Sequence, residues 1–253
     1  MHRFFLPTSE CQHQTLLLSG REAHHARHVR RLQHGETVVA LDGAGLECRC
    51  TVKACRRDDV ALTVVERRLH PPLACRITLL QALPKGKAIE TIIEQATELG
   101  VARVIPVLSE RVVTRVESAD HARKGEKWQV VAIEALKQCG QVWLPRVEPP
   151  VTVELFLKRG EAFDLALVAA LLPGSRHARE YFRAFKAEQG RKPGSVALWV
   201  GPEGDFTAAE YEAIQGAGAK PVTLGGLVLR SATAAIYGLS VLNHELQAPE
   251  GVP

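Results

Sequence analysis

Short runs rich in β-branched and apolar residues fill the first seventy positions of the chain. Turn signals such as Asp42-Gly43-Ala44-Gly45 separate these runs, and one helical stretch, Arg21–Leu32, interrupts them. The predicted strands are Thr15–Leu18, Thr37–Leu41, Glu47–Ala54 and Val60–Val65. Strands this short, at this spacing, predict a small β-barrel or sandwich.

Beyond the Pro71-Pro72 pair the hydrophobic pattern changes its period. Near-continuous apolar strands now alternate with segments whose apolar residues recur every three or four positions. The predicted strands are Ile77–Leu83, Val101–Leu108, Phe163–Leu171, Ser195–Val200 and Pro221–Leu224, and the predicted helices cover about 89–99, 128–139, 176–189 and 232–247, with another opened by a capping box at Thr207–Glu210. This alternation predicts a mostly parallel α/β sheet with ligands beyond the carboxyl ends of its strands. The predicted domains are 1–72 and 73–253.

Composition and charge narrow the classes of protein to consider. The 253 residues are 46% hydrophobic and 24% charged, which is typical of a globular protein, and no apolar run is long enough to span a membrane. The formal net charge is +4, and the first 70 residues hold 11 Lys and Arg against 8 Asp and Glu, with 7 of the 10 histidines. This balance suits a first domain that contacts a polyanion, and a merely solvated surface is the alternative that charge alone leaves open. Six cysteines without CxxC spacing, and no recognisable export signal, favour reduced thiols in the cytoplasm.

Three loops at predicted strand ends carry the candidate chemistry. Gly201-Pro-Glu-Gly204 follows one strand, and the glycines of Leu224–Ser231 follow another. A third loop, Ala169–Gly174, follows the strand that begins at Phe163. Their glycines and apolar side chains suit a flat heteroaromatic ring better than a phosphate, and neither GxGxxG nor GxxxxGK[ST] is present. Each loop taken alone is also compatible with an ordinary tight turn.

In combination, the Gly-Pro-Glu-Gly loop, the Leu-Gly-x-x-x-Leu-Arg motif at Leu224–Arg230 and the small-residue helix after it resemble the SPOUT class of S-adenosylmethionine-dependent RNA methyltransferases. The whole chain is most similar to the RsmE family, the 16S rRNA (uracil-N3)-methyltransferases. Further matches are Arg3-Phe4-Phe5, His28-Val29 with Arg31, Asp42–Gly45, Glu98-Leu99-Gly100-Val101, Pro106, Glu110-Arg111 and Glu134-Ala135 with Gln138.

This resemblance implies a fold and a set of partners. It implies a small PUA-like RNA-binding β-barrel followed by a SPOUT domain, a mostly parallel sheet with helices on both faces whose carboxyl-terminal segment threads into a trefoil knot. It also implies a homodimer through the knotted domain, with 16S rRNA or the small ribosomal subunit as substrate, S-adenosyl-L-methionine as cofactor and no membrane. The residues expected to bind RNA are Arg3, His28, Arg30 and Arg31.

The resemblance also places the cofactor on the three loops. The expected contacts are Ala170, Leu171, Val200, Gly201, Pro202, Glu203, Gly204, Leu224, Gly225, Gly226, Leu229, Ser231 and Ala232. Arg230 is the expected electrostatic catalyst, and Glu203 is expected to help remove a proton or to orient a water. The alternative for Arg230 is a structural role, in which it caps a strand end or pairs with Asp205 or Glu203.

Three positions depart from the family pattern: Asp205 replaces a second glycine, Ala232 a glutamate and Gln141 an arginine. Two alternatives therefore stay open: a SPOUT enzyme that methylates another RNA atom, and a catalytically silent RNA-binding homologue. His24 and His28, with Cys48 and Cys50 downstream, lack the paired spacing of a zinc site, and no metal is predicted.

Overall fold

A computed structural model describes residues 1–112 and 117–247. The chain divides into two compact units. The first unit comprises Met1–Pro72 and Ile133–Leu144, and the second comprises Leu73–Ala132 and the chain from Pro145 onward. Within the described residues no helix is long and apolar enough to cross a membrane.

The first unit is built on a curled five-stranded sheet with the order β1-β3-β4-β5-β2. The strands are β1 His2–Phe5, β2 Thr15–Ser19, β3 Thr37–Leu41, β4 Leu46–Cys55 and β5 Asp59–Leu69. Alternation places Leu16 and Leu18 in the core while Thr15 and Leu17 face solvent. Four of the strands were predicted, and β1, which pairs parallel to β3, was not.

The predicted helix after β2 is shorter and less regular than its pattern indicated. Helix α1 covers Gly20–His24 and continues as one π-helical stretch, His25–Val29. Ala23 and Ala26 are its buried residues. Arg31 then takes a φ of +53°, so the helix ends before the predicted limit at Leu32.

Glycines in the Asp42–Gly45 turn permit close packing inside the first unit. Asp42 Oδ1 accepts hydrogen bonds from the backbone N–H groups of Ala44 and Leu46, at 2.7 and 2.9 Å. A Cβ at Gly45 would lie 2.5 Å from the Trp143 ring, and one at Gly43 would lie 2.7 Å from Leu144 Cβ. This turn therefore seats residues 142–144 against the sheet.

The second unit contains a seven-stranded sheet with the order β12-β10-β11-β6-β7-β8, and β9 also pairs with β7. Every recorded pairing in it is parallel. The strands are β6 Arg76–Ala82, β7 Arg103–Leu108, β8 Arg146–Val147, β9 Val151–Thr152, β10 Leu165–Ala169, β11 Ser195–Val200 and β12 Lys220–Val222. Central strands such as β11 are buried along almost their whole length, as parallel sheets require.

Helices follow most of these strands. They are α2 Ala88–Glu98, α3 His121–Cys139, α4 Val153–Leu157, α5 Ala178–Gln189, α6 Ala208–Gly216 and α7 Ser231–Leu246. The predicted capping box of α6 is present, because Thr207 Oγ1 accepts from the Glu210 N–H and the Glu210 carboxylate accepts from the Thr207 N–H. The predicted fold class is confirmed, whereas α4, β8 and β9 were not predicted. Threading of the last segment into a knot stays a prediction.

Candidate active site

The three candidate loops follow β10, β11 and β12, which are neighbours in the sheet. Because these strands are parallel, their carboxyl ends meet at one edge, and the loops enclose a cavity of about 130 Å³ there. The predicted cofactor residues that line it are Ala170, Leu171, Val200, Gly201, Pro202, Glu203, Leu224, Gly225, Leu229 and Ser231. Gly204, Gly226 and Ala232 are not part of its lining.

A buried hydrogen-bond relay joins two of the loops beneath the cavity. Ser231 Oγ donates to the Gly201 carbonyl oxygen at 2.6 Å, and Gln81 Nε2 donates to Ser231 Oγ at 2.9 Å. Gln81, the penultimate residue of β6, is fully buried, and its Oε1 has no hydrogen-bond partner in the described chain. The relay fixes the first residue of α7 against the loop after β11.

The Gly201–Gly204 loop is also held from outside the cavity. Glu203 Oε1 accepts from the backbone N–H of Lys85 at 3.1 Å. Arg111 Nη1 donates to the Gly204 carbonyl oxygen at 2.9 Å. One carboxylate oxygen of Glu203 therefore holds the loop between β6 and α2. Gly204 contacts Arg111 through its carbonyl oxygen.

Asp205 occupies a strained backbone position at the cavity. Its φ is +60°, a conformation that favours glycine, and the residue lines the cavity. Oδ1 accepts from the Tyr211 hydroxyl at 2.8 Å and from the Phe206 N–H at 2.9 Å. Burial, together with this hydrogen bond to Asp205, raises the pKa of the Tyr211 phenol, so the phenol stays a donor.

Arg230 lies at the amino terminus of α7, between the cavity-lining residues Leu229 and Ser231. Its side chain is exposed and forms no hydrogen bond or ion pair with any residue in 1–112 or 117–247. A purely structural interpretation, in which Arg230 pairs with Asp205 or Glu203, finds no such contact here. The guanidinium is therefore available to a ligand.

Large apolar side chains lie exposed around the cavity. Leu171 is 53% exposed, Leu227 78% and Val228 87%. Exposed apolar patches of this kind mark binding sites, because leaving them in water is unfavourable. Together with Leu224 and Leu229 they form walls suited to a flat ring.

The residues predicted to bind RNA lie in the first unit, where the structure gives them different surroundings. Arg3 Nη1 donates to the carbonyl oxygens of Lys137 and Gln138, at 3.3 and 3.0 Å, and so caps the carboxyl end of α3. His28, Arg30 and Arg31 are exposed. An RNA contact by any of the four stays a prediction, and Arg3 already has a structural role.

The histidines of this region contact one another and Arg30. The His24 and His28 rings pack with centroids 4.8 Å apart, and Arg30 Nε donates to His25 Nε2 at 3.0 Å. Burial and the nearby positive charges of Lys137 and Arg30 lower the pKa of His25. In the part of the chain that the structure describes, no group of three or more His, Cys, Asp or Glu is placed to hold a metal ion.

Comparison with known proteins decides the family. A family model described as an RNA methyltransferase PUA domain matches residues 18–65, and one described as an RNA methyltransferase domain matches residues 71–243. A ribosomal RNA small subunit methyltransferase E of Mycobacterium bovis is 32% identical over 94% of this chain and 90% of its own length. This chain belongs to the ribosomal RNA small subunit methyltransferase E family. Membership of the RsmE family, which the sequence predicted, is confirmed.

Two further relatives extend the likeness to full length. The ribosomal RNA small subunit methyltransferase E of Bacillus subtilis is 29% identical over 99% of both chains. A structure from Legionella pneumophila, assigned as a methyltransferase and solved with the cofactor SAM bound, superposes with a TM-score of 0.85 at 30% identity, covering 96% of this chain and 97% of the other. Both RsmE-family units are therefore present in one chain.

Proposed function

We propose that this protein transfers a methyl group from S-adenosylmethionine to N3 of a specific uridine in 16S ribosomal RNA. The observation that carries the proposal is the cavity at the carboxyl ends of β10, β11 and β12, formed by the three loops that the RsmE resemblance assigns to the cofactor. Family membership supplies the substrate class, and the uracil N3 specificity comes from the family name.

The residues of the cavity fit this cofactor. Leu171, Leu224 and Leu229 supply apolar walls for the adenine ring, and the loop at Gly201 supplies backbone groups that a ligand can approach closely. When bound, S-adenosylmethionine supplies an electrophilic methyl group on a positively charged sulfur. Gln81 and Ser231 would keep the loop at Gly201 in place around it.

The exposed residues at the cavity suggest how methyl transfer is promoted. Uridine N3 normally lies in a base pair, so the target base must be unpaired or extruded before it can react. N3 is a weak nucleophile until its proton leaves, and its departure builds negative charge on the uracil oxygens. The exposed Arg230 guanidinium would stabilise this charge, and Glu203, which lines the cavity, would help to remove the proton or to orient a water.

The first unit supplies contacts to the rest of the RNA. Exposed His28, Arg30 and Arg31 would bind phosphates, which position a substrate without reading its sequence. We also propose the small ribosomal subunit as the assembled substrate, a homodimer through the second unit, and action in the cytoplasm, where bacterial ribosomal subunits are built. Light scattering at micromolar concentration tests the homodimer, and a monomer would contradict it.

The proposal is tested by supplying labelled S-adenosylmethionine to the purified protein with either small ribosomal subunits or naked 16S rRNA. We expect label in the RNA, with faster transfer to subunits. Label on a ribose or on another base atom would instead favour the enzyme with a different target. Cofactor binding by calorimetry without transfer to either substrate would favour the silent RNA-binding homologue.

A further inference from the structure

Asp205 lines the cavity, and its carboxylate has one oxygen that the protein holds and one that it does not use. Oδ1 is fixed by the Tyr211 hydroxyl and the Phe206 N–H. Oδ2 accepts no hydrogen bond from any residue in 1–112 or 117–247. The protein therefore holds Oδ1, and Oδ2 is free to accept a proton or a hydrogen bond from a ligand.

The place of Asp205 relative to the reacting region follows from Gly201. A Cβ on Gly201 would lie 2.7 Å from Asp205 Oδ1, so the carboxylate sits directly over that glycine. The Gly201 carbonyl oxygen is bonded to Ser231 Oγ, next to Arg230. Asp205 thus stands over the point where the loop after β11 meets the start of α7.

The backbone at Asp205 is strained, and the strain is maintained. Among the described residues other than glycine, a positive φ occurs at Arg31 and Asp205 alone. Such conformations persist where the surrounding structure imposes them, and they cluster at functional sites. Here the turn hydrogen bond from Asp205 N to the Pro202 carbonyl oxygen, at 2.9 Å, and the Tyr211 contact impose it.

Glu203 is the other carboxylate in the cavity wall, and it is less suited to accept a proton. Its Oε1 is engaged by the Lys85 N–H, and its longer side chain has one more rotatable bond than that of Asp205. A short, doubly anchored carboxylate loses less conformational freedom when it meets a substrate. The geometry therefore favours Asp205.

We propose that Asp205 is the proton acceptor of the methyl-transfer reaction, a role that rests on the proposed function. The N3–H bond of the target uracil breaks and its proton passes to Asp205 Oδ2. The electron pair left on N3 forms the new N–C bond to the methyl group, and the electron pair of the broken S–C bond stays on sulfur. The proton then leaves Asp205 to solvent, so charge and atoms balance.

Several charged or titratable groups lie on the loop of Asp205 or on the elements that contact this loop. Tyr211 donates to it from α6, and Glu203 lies two residues before it in the same loop. Arg111 approaches the loop at Gly204 from the segment after β7, and Arg230 stands at the start of α7. Among these groups Tyr211 contacts the acceptor directly, and the others lie on its loop or on segments that contact this loop.

The test compares Asp205→Asn with Glu212→Gln. Asparagine keeps an Oδ1 acceptor for Tyr211 and Phe206, and Glu212 is an exposed carboxylate of α6 outside the cavity. For Asp205→Asn we expect kcat to fall about a hundredfold or more, with calorimetric affinity for S-adenosylmethionine and melting temperature unchanged. Raising the pH should restore part of its rate, because alkaline solvent removes the N3 proton without help. Glu212→Gln should match the wild type.

Three results would overturn the proposal. The first is wild-type kcat in Asp205→Asn. The second is a parallel loss of cofactor affinity and kcat, which would make Asp205 a cofactor-holding residue. The third is a large kcat loss in Glu203→Gln alone, with affinity retained, which would make Glu203 the acceptor. Failure of the wild-type protein to methylate 16S rRNA is a separate result that would refute the proposed function itself.

Discussion

Replacing Gly201 with alanine is the perturbation whose effect on cofactor binding follows most directly from the structure. The added Cβ would lie 2.7 Å from Asp205 Oδ1 and 3.3 Å from the Phe206 N atom. Carbon and oxygen do not approach this closely without bonding, so the Asp205 carboxylate must move. That movement breaks or lengthens its hydrogen bonds to Tyr211 and Phe206.

The size of the effect can be estimated from the cost of overpacking. Forcing an extra carbon into a packed site costs roughly 1–3 kcal/mol. If the whole of this cost opposes cofactor binding, the Kd for S-adenosylmethionine rises by roughly 5- to 150-fold, since about 1.4 kcal/mol is a tenfold change. Isothermal titration calorimetry on the purified protein measures it.

Gly204→Ala is the matched control, because the same change three residues later meets different surroundings. Its Cβ would lie 3.4 Å from Arg111 Cβ, an ordinary van der Waals contact, and Gly204 does not line the cavity. We expect its Kd to stay near the wild-type value. Equal affinity losses in the two variants, or none in Gly201→Ala, would refute the placement of the cofactor at Gly201.

Further predictions concern catalysis, folding and RNA binding. Arg230→Ala should lower kcat roughly a hundredfold with cofactor affinity retained in single-turnover assays and calorimetry, whereas a joint fall of affinity and melting temperature would indicate a structural role. Lys137→Ala should lower the free energy of unfolding by roughly 3–5 kcal/mol in urea titrations, because the Glu22 carboxylate, 2.7 Å from Lys137 Nζ and only 13% exposed, loses its ion-pair partner, and a loss under about 1 kcal/mol would contradict this. Joint replacement of Arg30 and Arg31 by alanine should weaken RNA binding and reduce its log–log salt slope by about 1–2, and an unchanged slope would show that neither side chain contacts a phosphate.

Elements with a strong local pattern were predictable from the sequence. Thr37–Leu41 and Ser195–Val200 have the predicted bounds, because their apolar runs are flanked by turn residues or prolines. Strand β1 was missed because its only partner, β3, lies more than thirty residues away and no alternation marks it. Helix α4, Val153–Leu157, is too short to show a helical period. Its capping contact from Thr152 is visible only in three dimensions.

The residues of the site likewise fall into two groups: those that a local sequence pattern reveals, and those whose role depends on contacts between distant parts of the chain. The three loops were identified because glycines after apolar strands are a local signal. Gln81 was missed, and Arg111, although part of the Glu110-Arg111 match, was not expected to contact a loop, since each reaches its loop from an element far away in the sequence. Asp205 was visible as a departure from the family pattern. Its bond to Tyr211 and its positive φ depend on the folded loop, which no residue pattern encodes locally.

The most direct test of the central claim is the chemical identity of the product. Small ribosomal subunits incubated with this protein and S-adenosylmethionine carrying an isotopically heavy methyl group are digested to nucleosides and analysed by mass spectrometry. The account predicts heavy 3-methyluridine, derived from a single position of 16S rRNA. A heavy methyl group found only on a ribose, on another base atom or in no nucleoside would contradict it.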